Sequence, residues 1–152
     1  MTELTREVLL LLHLLGVITW VGGMFFAYFC LRPAAAECLD PPKRLPLWVA
    51  TFRRFFAYTA AAVAAVLISG LTMLVQAGFS QAPAGWHVML TLGLLMALIF
   101  GYVYIALYPR LRAHCSASAW PAAAQALNSI RRLVAVNLIL AACTIAAAIS
   151  VR

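Results

Sequence analysis

Two histidines are the residues best able to bind a cofactor in this sequence. They are His13 and His87, and each lies in a long apolar run without Asp, Glu, Lys or Arg. Ionisable side chains are costly inside hydrocarbon and tend to be functional there. At a rise of 1.5 Å per residue, His13 is placed about 9 Å and His87 about 6 Å below the same membrane face. Two imidazoles at matched depth can ligate haem iron from both sides or hold a metal ion. The alternative is that each is a lone polar residue, bonded to a backbone carbonyl or to interfacial water.

The predicted first helix has a second feature around its histidine. Four residues spaced three or four positions apart share one helix face. The residues of this face are His13, Gly16, Trp20 and Gly23. Two glycines permit the close approach of a planar group or of another helix. The face therefore predicts either a cofactor wall or tight helix packing around a buried tryptophan. Thr91 shares the face of His87 and is included among the predicted cofactor-binding residues.

Met73 suggests a different use of the same place. It lies near the same end of its own helix, at a depth comparable to that of the two histidines. A thioether together with two imidazoles suits a copper ion. A methionine in an apolar helix usually serves packing alone. Copper binding by His13, His87 and Met73 is therefore the alternative to haem.

Four apolar runs position these residues. The chain is 66% apolar and 10% charged, whereas a soluble domain averages about 45–50% and about 25%. Each run is long enough to cross about 30 Å of hydrocarbon as a helix, the open-ended structure that lipid tolerates. We predict an all-α fold, an integral membrane four-helix transmembrane bundle that forms one domain over residues 1–152 in the lipid bilayer. The predicted helices cover residues 8–31, 55–77, 86–108 and 133–151.

The positive charge of the chain indicates topology rather than a nucleic-acid partner. The formal net charge is +7, and nine of the eleven Lys and Arg lie in residues 32–54 and 109–132. Lys and Arg are enriched in the short cytoplasmic connections of membrane proteins. We predict a multi-pass protein of the bacterial inner membrane with both termini in the periplasm and no nucleic-acid partner. Both histidines would then lie near the periplasmic face.

The two positively charged connections differ in their predicted structure. Residues 32–54 contain four prolines and are predicted to be extended and irregular. Residues 120–129 are predicted to form a short interfacial helix before the fourth span. Asn137, one turn into that span, is predicted to hydrogen-bond across the bundle. An aromatic belt is predicted at this face of the membrane, made of Trp48, Tyr102, Tyr104 and Tyr108.

The first helix also resembles that of two related families. The segment runs from His13-Leu14-Leu15-Gly16 through Trp20-Val21-Gly22-Gly23 to Leu31-Arg32-Pro33. It is similar to the first helix of CopD-like membrane proteins and of HemJ-type protoporphyrinogen oxidases. Residues 85–91 and 126–128 resemble the HemJ pattern as well. The HemJ resemblance implies haem b bound through His13, with Met89 at the position of that family's lysine. The CopD resemblance implies copper uptake or tolerance.

These observations leave several functions open. The leading hypothesis is a haem b-binding protein of the b-type cytochrome kind, with His13 and His87 as axial ligands between the first and third helices. It would carry out electron transfer or membrane redox chemistry with a redox partner or a quinone. The alternatives are a CopD-like copper-binding or copper-transport protein, a HemJ-like protoporphyrinogen oxidase, and a structural subunit of a larger complex. A homo-oligomer is compatible with each of them, and the pattern assigns no catalytic residue.

Overall fold

The chain forms four long helical units. The computed structural model describes residues 2–149, and within that range it has helices and turns but no strand. Each unit is long and apolar enough to cross a membrane. The predicted all-α four-helix membrane fold is confirmed. The units are Glu3–Cys38, Pro41–Ala77, Ala84–Ser116 and Trp120–Ile149.

Two of the four units contain a short π-helical segment. In such a segment a backbone N–H donates to the carbonyl five residues earlier, whereas in an α-helix it donates to the carbonyl four residues earlier. In the first, Phe26–Leu31, the Arg32 N–H donates to the Ala27 carbonyl. In the second, Val103–Leu107, the Tyr108 N–H donates to the Val103 carbonyl. The α-helices on either side are numbered along the chain as α1 Glu3–Phe25, α2 Arg32–Cys38, α3 Pro41–Ala77, α4 Ala84–Tyr102, α5 Tyr108–Ser116 and α6 Trp120–Ile149.

The first connection corrects the sequence prediction. Residues 32–54 were expected to be extended, but α2 and the start of α3 fill them, and only residues 39 and 40 are outside a helix. The reason is the position of the prolines. Pro33 lies in the first turn of α2, and Pro41 lies in the first turn of α3. The first N–H groups of α3 have no helical partner, so Pro41 is tolerated there. Pro33 directly follows the π-helical segment Phe26–Leu31 within one continuous helix. Pro46 lies inside α3.

The second connection is also more helical than predicted. α5 continues to Ser116, and a turn with Ser118 at a φ of 53° leads into α6. The predicted short helix over residues 120–129 exists, but it is the first part of α6 and not a separate element. The predicted end of the fourth span at residue 151 lies outside the described residues. The uncharged connection runs over residues 78–83, close to the predicted range.

The helices pack in two pairs. α1 packs mainly along α3, and α4 packs mainly along α6. We call the end of the bundle where α1 begins and α6 ends the terminal end. The opposite end, which holds α2, α5 and the starts of α3 and α6, is the basic end, because nine of the eleven Lys and Arg belong to its segments.

A buried aromatic cluster closes the basic end. The Phe52 and Phe56 rings stack at 4.9 Å between centroids and 5° between planes. Tyr108 meets the Phe56 ring edge-on at 5.3 Å. Trp48 and Tyr108 are 3% and 9% exposed, so both belong to this cluster and the belt predicted for them is wrong. Tyr102 and Tyr104 remain exposed on the outside of the bundle.

A hydrogen bond links the two halves of the second helix pair. The Asn137 side-chain Nδ2 donates to the Met96 carbonyl of α4 over 3.2 Å. The predicted cross-bundle bond is therefore confirmed. The bond lies inside the bundle and connects α6 to α4 near the buried side chains of Trp20, Met24 and Met96.

We predict that Phe56→Ala lowers the free energy of unfolding by about 3 kcal/mol, because a buried phenylalanine leaves a cavity when it is truncated. Phe56 contacts aromatic rings from α4, α5 and the segment between them. Thermal unfolding in detergent micelles measures the effect. The control is Phe26→Ala, since the Phe26 side chain is 57% exposed on the outside of the bundle. An equal loss of stability in both variants would contradict the role of the cluster.

Candidate metal site in the terminal cavity

A cavity of about 440 Å³ lies at the terminal end of the bundle. α1, α3, α4 and α6 all contribute to its wall, which is mostly aliphatic. The side chains in the wall that carry nitrogen, oxygen, sulfur or an indole ring are Arg6, His13, Trp20, Met73, Trp86, Met89, Met96 and Thr144. A second pocket beside it shares Arg6, Met73 and Trp86 and adds Gln76 and Ala77. The cavity therefore combines an apolar interior with a few soft donor atoms.

Ser69 of α3 orients the imidazole of His13 through a hydrogen bond to Nδ1. The Ser69 hydroxyl donates its proton to a backbone carbonyl of its own helix, that of Ala65 or Val66. Its oxygen therefore accepts a hydrogen bond from His13 Nδ1, at 3.1 Å. With the proton on Nδ1, the lone pair of the imidazole is on Nε2, the arrangement found in metal-ligating histidines.

Gly70 provides the space for this imidazole. A Cβ added at Gly70 would lie 3.1 Å from His13 Cε1 and 3.4 Å from Nδ1. A side chain at this position would push the ring away from α3. The glycine therefore helps to set where the ring of His13 lies.

Three methionines share the cavity with His13. Met73 comes from α3, and Met89 and Met96 come from α4. The sequence prediction placed Met73 near His13, and both residues line the cavity. Met24 is buried in the core instead and is not part of the wall. The cavity thus joins one imidazole with three thioethers.

The glycines of the predicted cofactor face serve helix packing. A Cβ at Gly16 would lie 2.6 Å from Val66 Cγ2 of α3, and a Cβ at Gly23 would meet the Phe55 ring. Trp20 lines the cavity and is 3% exposed, with its ring edge-on to Phe100 at 6.3 Å. The structure supports the packing alternative for the two glycines, and a cofactor role for this face stays a prediction.

His87 does not join His13 in the cavity wall. The wall takes Trp86, Met89 and Gly93 from α4. Since each residue turns a helix by about 100°, His87 lies to one side of that face. Its ring contacts Phe79 of the 78–83 connection at 5.0 Å, and its carbonyl accepts a hydrogen bond from Thr91. The cavity therefore brings together His13 and Met73 but not His87 or Thr91.

Sequence reasoning missed Ser69 and Met89. Met89 lies two residues from His87 in α4, and this offset places it on the cavity face. The three- and four-residue spacing of Trp86, Met89 and Gly93 is a signal that could have found it. Ser69 could have been found from the pair Ser69-Gly70, a polar and a small residue together in an apolar helix.

Comparison with known proteins identifies the family of this chain. A family model described as Copper resistance protein D (CopD) matches residues 49–151, about two thirds of the chain. The chain belongs to the CopD family. No curated protein and no solved structure matches it. The CopD part of the expected resemblance is confirmed, and the HemJ part is not.

The matched range of this CopD-family protein begins within α3. It includes Ser69 and the cavity methionines Met73, Met89 and Met96, but not His13, which lies in α1. The resemblance noted in the sequence rested on the first helix, whereas the match covers the other three long units. The thioethers of the cavity therefore lie in the part of the chain that the family model matches.

We predict that Gly70→Ala moves the His13 ring of this CopD-family protein by a few tenths of an ångström, because its Cβ meets the ring at 3.1 Å. The ring ¹⁵N chemical shifts of His13 measure the change in its bond to Ser69. Gly93→Ala is the matched control, since Gly93 also lines the cavity but an added Cβ there meets nothing within 4 Å. Unchanged shifts in Gly70→Ala would contradict the proposed packing of the imidazole.

Proposed function

We propose that this CopD-family protein binds monovalent copper as its cargo in the terminal cavity. The observation that carries the proposal is the His13 imidazole, oriented by Ser69 in a cavity that three methionines line. Nε2 of His13 and the thioethers of Met73 and Met89 are the proposed donors, with Met96 on the same wall. The family, described as Copper resistance protein D, supports the same cargo.

The donor set favours a soft cation over a hard one. Thioethers bind Cu(I) well, whereas Ca²⁺, Mg²⁺ and Mn²⁺ need carboxylates, carbonyls or water. Within residues 2–149, no three His, Cys, Asp or Glu side chains come together as a metal-binding group. Among residues 2–149, none that lines the cavity carries a carboxylate. Copper held by one imidazole and thioethers is therefore the form of binding that these residues support.

Haem b bound between α1 and α4 has less support. A bis-histidine site needs a second imidazole on the opposite side of the iron, and His87 is not in the cavity wall. The CopD family model favours copper over haem. Haem iron, electron transfer with a quinone or another redox partner, and protoporphyrinogen oxidation are therefore not part of the proposal.

The proposed orientation places the cavity at the outer face of the membrane. At the terminal end Arg6 is accompanied by Glu3 and Glu7, whereas the basic end carries a large excess of Lys and Arg. The positive-inside rule puts the basic end in the cytoplasm. Copper would then enter the cavity from the periplasm of a bacterial inner membrane.

We predict that Met73→Leu and Met89→Leu each weaken Cu(I) binding by about tenfold or more, since metal affinity falls by about 10–100-fold even when only a partner of a ligand is lost. His13→Ala is expected to weaken it similarly. Purified protein in detergent is titrated with Cu(I) under reducing conditions against a coloured copper chelator. Leucine preserves the methionine volume, so folding is little affected.

Met24→Leu is the control for the copper titration, because Met24 is buried outside the cavity wall. It should bind copper like the unaltered protein. Equal affinity in Met24→Leu, Met73→Leu and Met89→Leu would contradict the proposal. A Soret band that disappears in His13→Ala would instead support haem b.

We predict that alkaline phosphatase fused after Arg152 is active and that green fluorescent protein fused there is dark, because the first works only in the periplasm. The basis is the uneven distribution of positive charge between the two ends. A fusion in the 117–119 turn should give the reverse pattern. Fluorescence of the fusion at Arg152 would show that the protein has the opposite orientation in the membrane, with the cavity on the cytoplasmic side.

A further inference from the structure

Three arginines from three different helices converge at the basic end. Arg32 lies in α2, Arg44 in α3 and Arg131 in α6. Arg131 interacts electrostatically with the other two and with the Tyr28 phenol. All three are partly buried, whereas Lys43, Arg53, Arg54, Arg110, Arg112 and Arg132 are exposed. The three arginines are therefore separate from the solvated positive charge of this end.

Aromatic rings hold two of the guanidinium groups in place. The Arg131 guanidinium lies over the Trp48 ring, 5.8 Å from its centroid. The Arg32 guanidinium lies over the Tyr28 ring at 5.1 Å. Contact with a ring face attracts a cation but supplies no hydrogen-bond acceptor in the plane of the guanidinium. The ring contacts therefore do not satisfy the hydrogen-bonding N–H groups of these two arginines.

Three buried N–H groups in this cluster have no acceptor among residues 2–149. They are Nε of Arg44, Nε of Arg131 and Nε1 of the Trp48 indole. Arg44 and Trp48 are four residues apart in α3 and share a helix face, and Arg131 lies over that same indole. Buried polar groups are nearly always hydrogen-bonded, so three unpaired donors in one place indicate a missing acceptor.

No carboxylate of the described chain supplies that acceptor. Glu37 and Asp40 are the acidic residues of this end, both are exposed, and residues 2–149 form no ion pair with the three arginines. Three like charges and three unpaired donors remain together. An anion with several acceptor oxygens would satisfy both, and guanidinium groups bind phosphate oxygens in their own plane.

We propose that Arg32, Arg44 and Arg131, together with the indole of Trp48, form a binding site for a phosphate group. Arg32 follows the apolar run of the first unit, and Arg131 precedes that of the last, so the site lies at the depth of lipid headgroups. The phosphate comes either from an anionic lipid or from free phosphate. The site is at the opposite end from the copper cavity and does not depend on copper binding.

The test measures thermal unfolding of the full purified chain in detergent at about 0.5 M salt, where the screening length is only a few ångströms and exposed charges contribute little. Three additions are compared, phosphatidylglycerol, phosphatidylcholine and inorganic phosphate. We expect phosphatidylglycerol to raise the melting temperature and phosphatidylcholine to leave it unchanged. Stabilisation by inorganic phosphate to the same extent would support the site and assign it to free phosphate.

Arginine variants locate the effect. Arg44→Gln and Arg131→Gln should each weaken phosphatidylglycerol binding about tenfold, because each removes charge-assisted hydrogen bonds to the phosphate. Arg132→Gln and Arg53→Gln are the matched controls, because both are exposed, and should bind like the unaltered protein. Without anionic lipid, Arg131→Gln should be at least as stable as the unaltered protein, since it relieves repulsion between like charges.

Native mass spectrometry of the unaltered protein gives a second measurement that needs no variant. Retention of phosphatidylglycerol in preference to phosphatidylcholine supports the site. Equal retention of both lipids, together with no effect of inorganic phosphate, overturns it. So does an equal loss of binding in Arg131→Gln and Arg132→Gln, because binding would then reflect total charge and not the three partly buried arginines.

Discussion

At Gly16, α1 and α3 approach so closely that a Cβ would lie 2.6 Å from Val66 Cγ2 and 2.9 Å from the Ala62 carbonyl. The two helices are antiparallel, so the residue one turn before Gly16 in α1 lies beside the residue one turn after Val66 in α3. Those positions are His13 and Ser69, and they are hydrogen-bonded. Lipid tails are as apolar as the helices, so close packing and such bonds hold the pair together. The imidazole of the cavity depends on this contact.

The two helix pairs explain why one end of the bundle is open and the other closed. At the basic end, aromatic rings from α3, α4 and α5 fill the space between the pairs. At the terminal end, the facing residues are methionines, glycines and aliphatic side chains, and a cavity remains. Asn137 bonds to the Met96 carbonyl at the floor of that cavity. The packed side chains below the cavity support the helices that carry its donors.

The sequence predicted the spans well and their ends poorly. Four apolar runs are sufficient to predict four membrane helices, because lipid excludes other open-ended structure. The same rule does not apply outside the membrane, where Pro41 begins α3 and Pro33 lies within the continuous helix of the first unit. Positions along a helix axis were also predictable, and the depth of His13 and Met73 led to the cavity. Rotation about the axis was not, since it depends on packing with neighbours, and His87 was therefore paired with His13.

The two π-helical segments change which helix faces point toward the bundle interior at its two ends. Each holds one more residue than an α-helix of the same length, so the faces before and after it are offset by about 100°. Phe26–Leu31 separates the half of the first unit that carries His13 from the half that carries Arg32. Val103–Leu107 separates Met96 of α4 from Leu111 of α5 in the same way. The terminal half and the basic half of these two units therefore pack with faces that differ by about 100° from those that an uninterrupted α-helix would present.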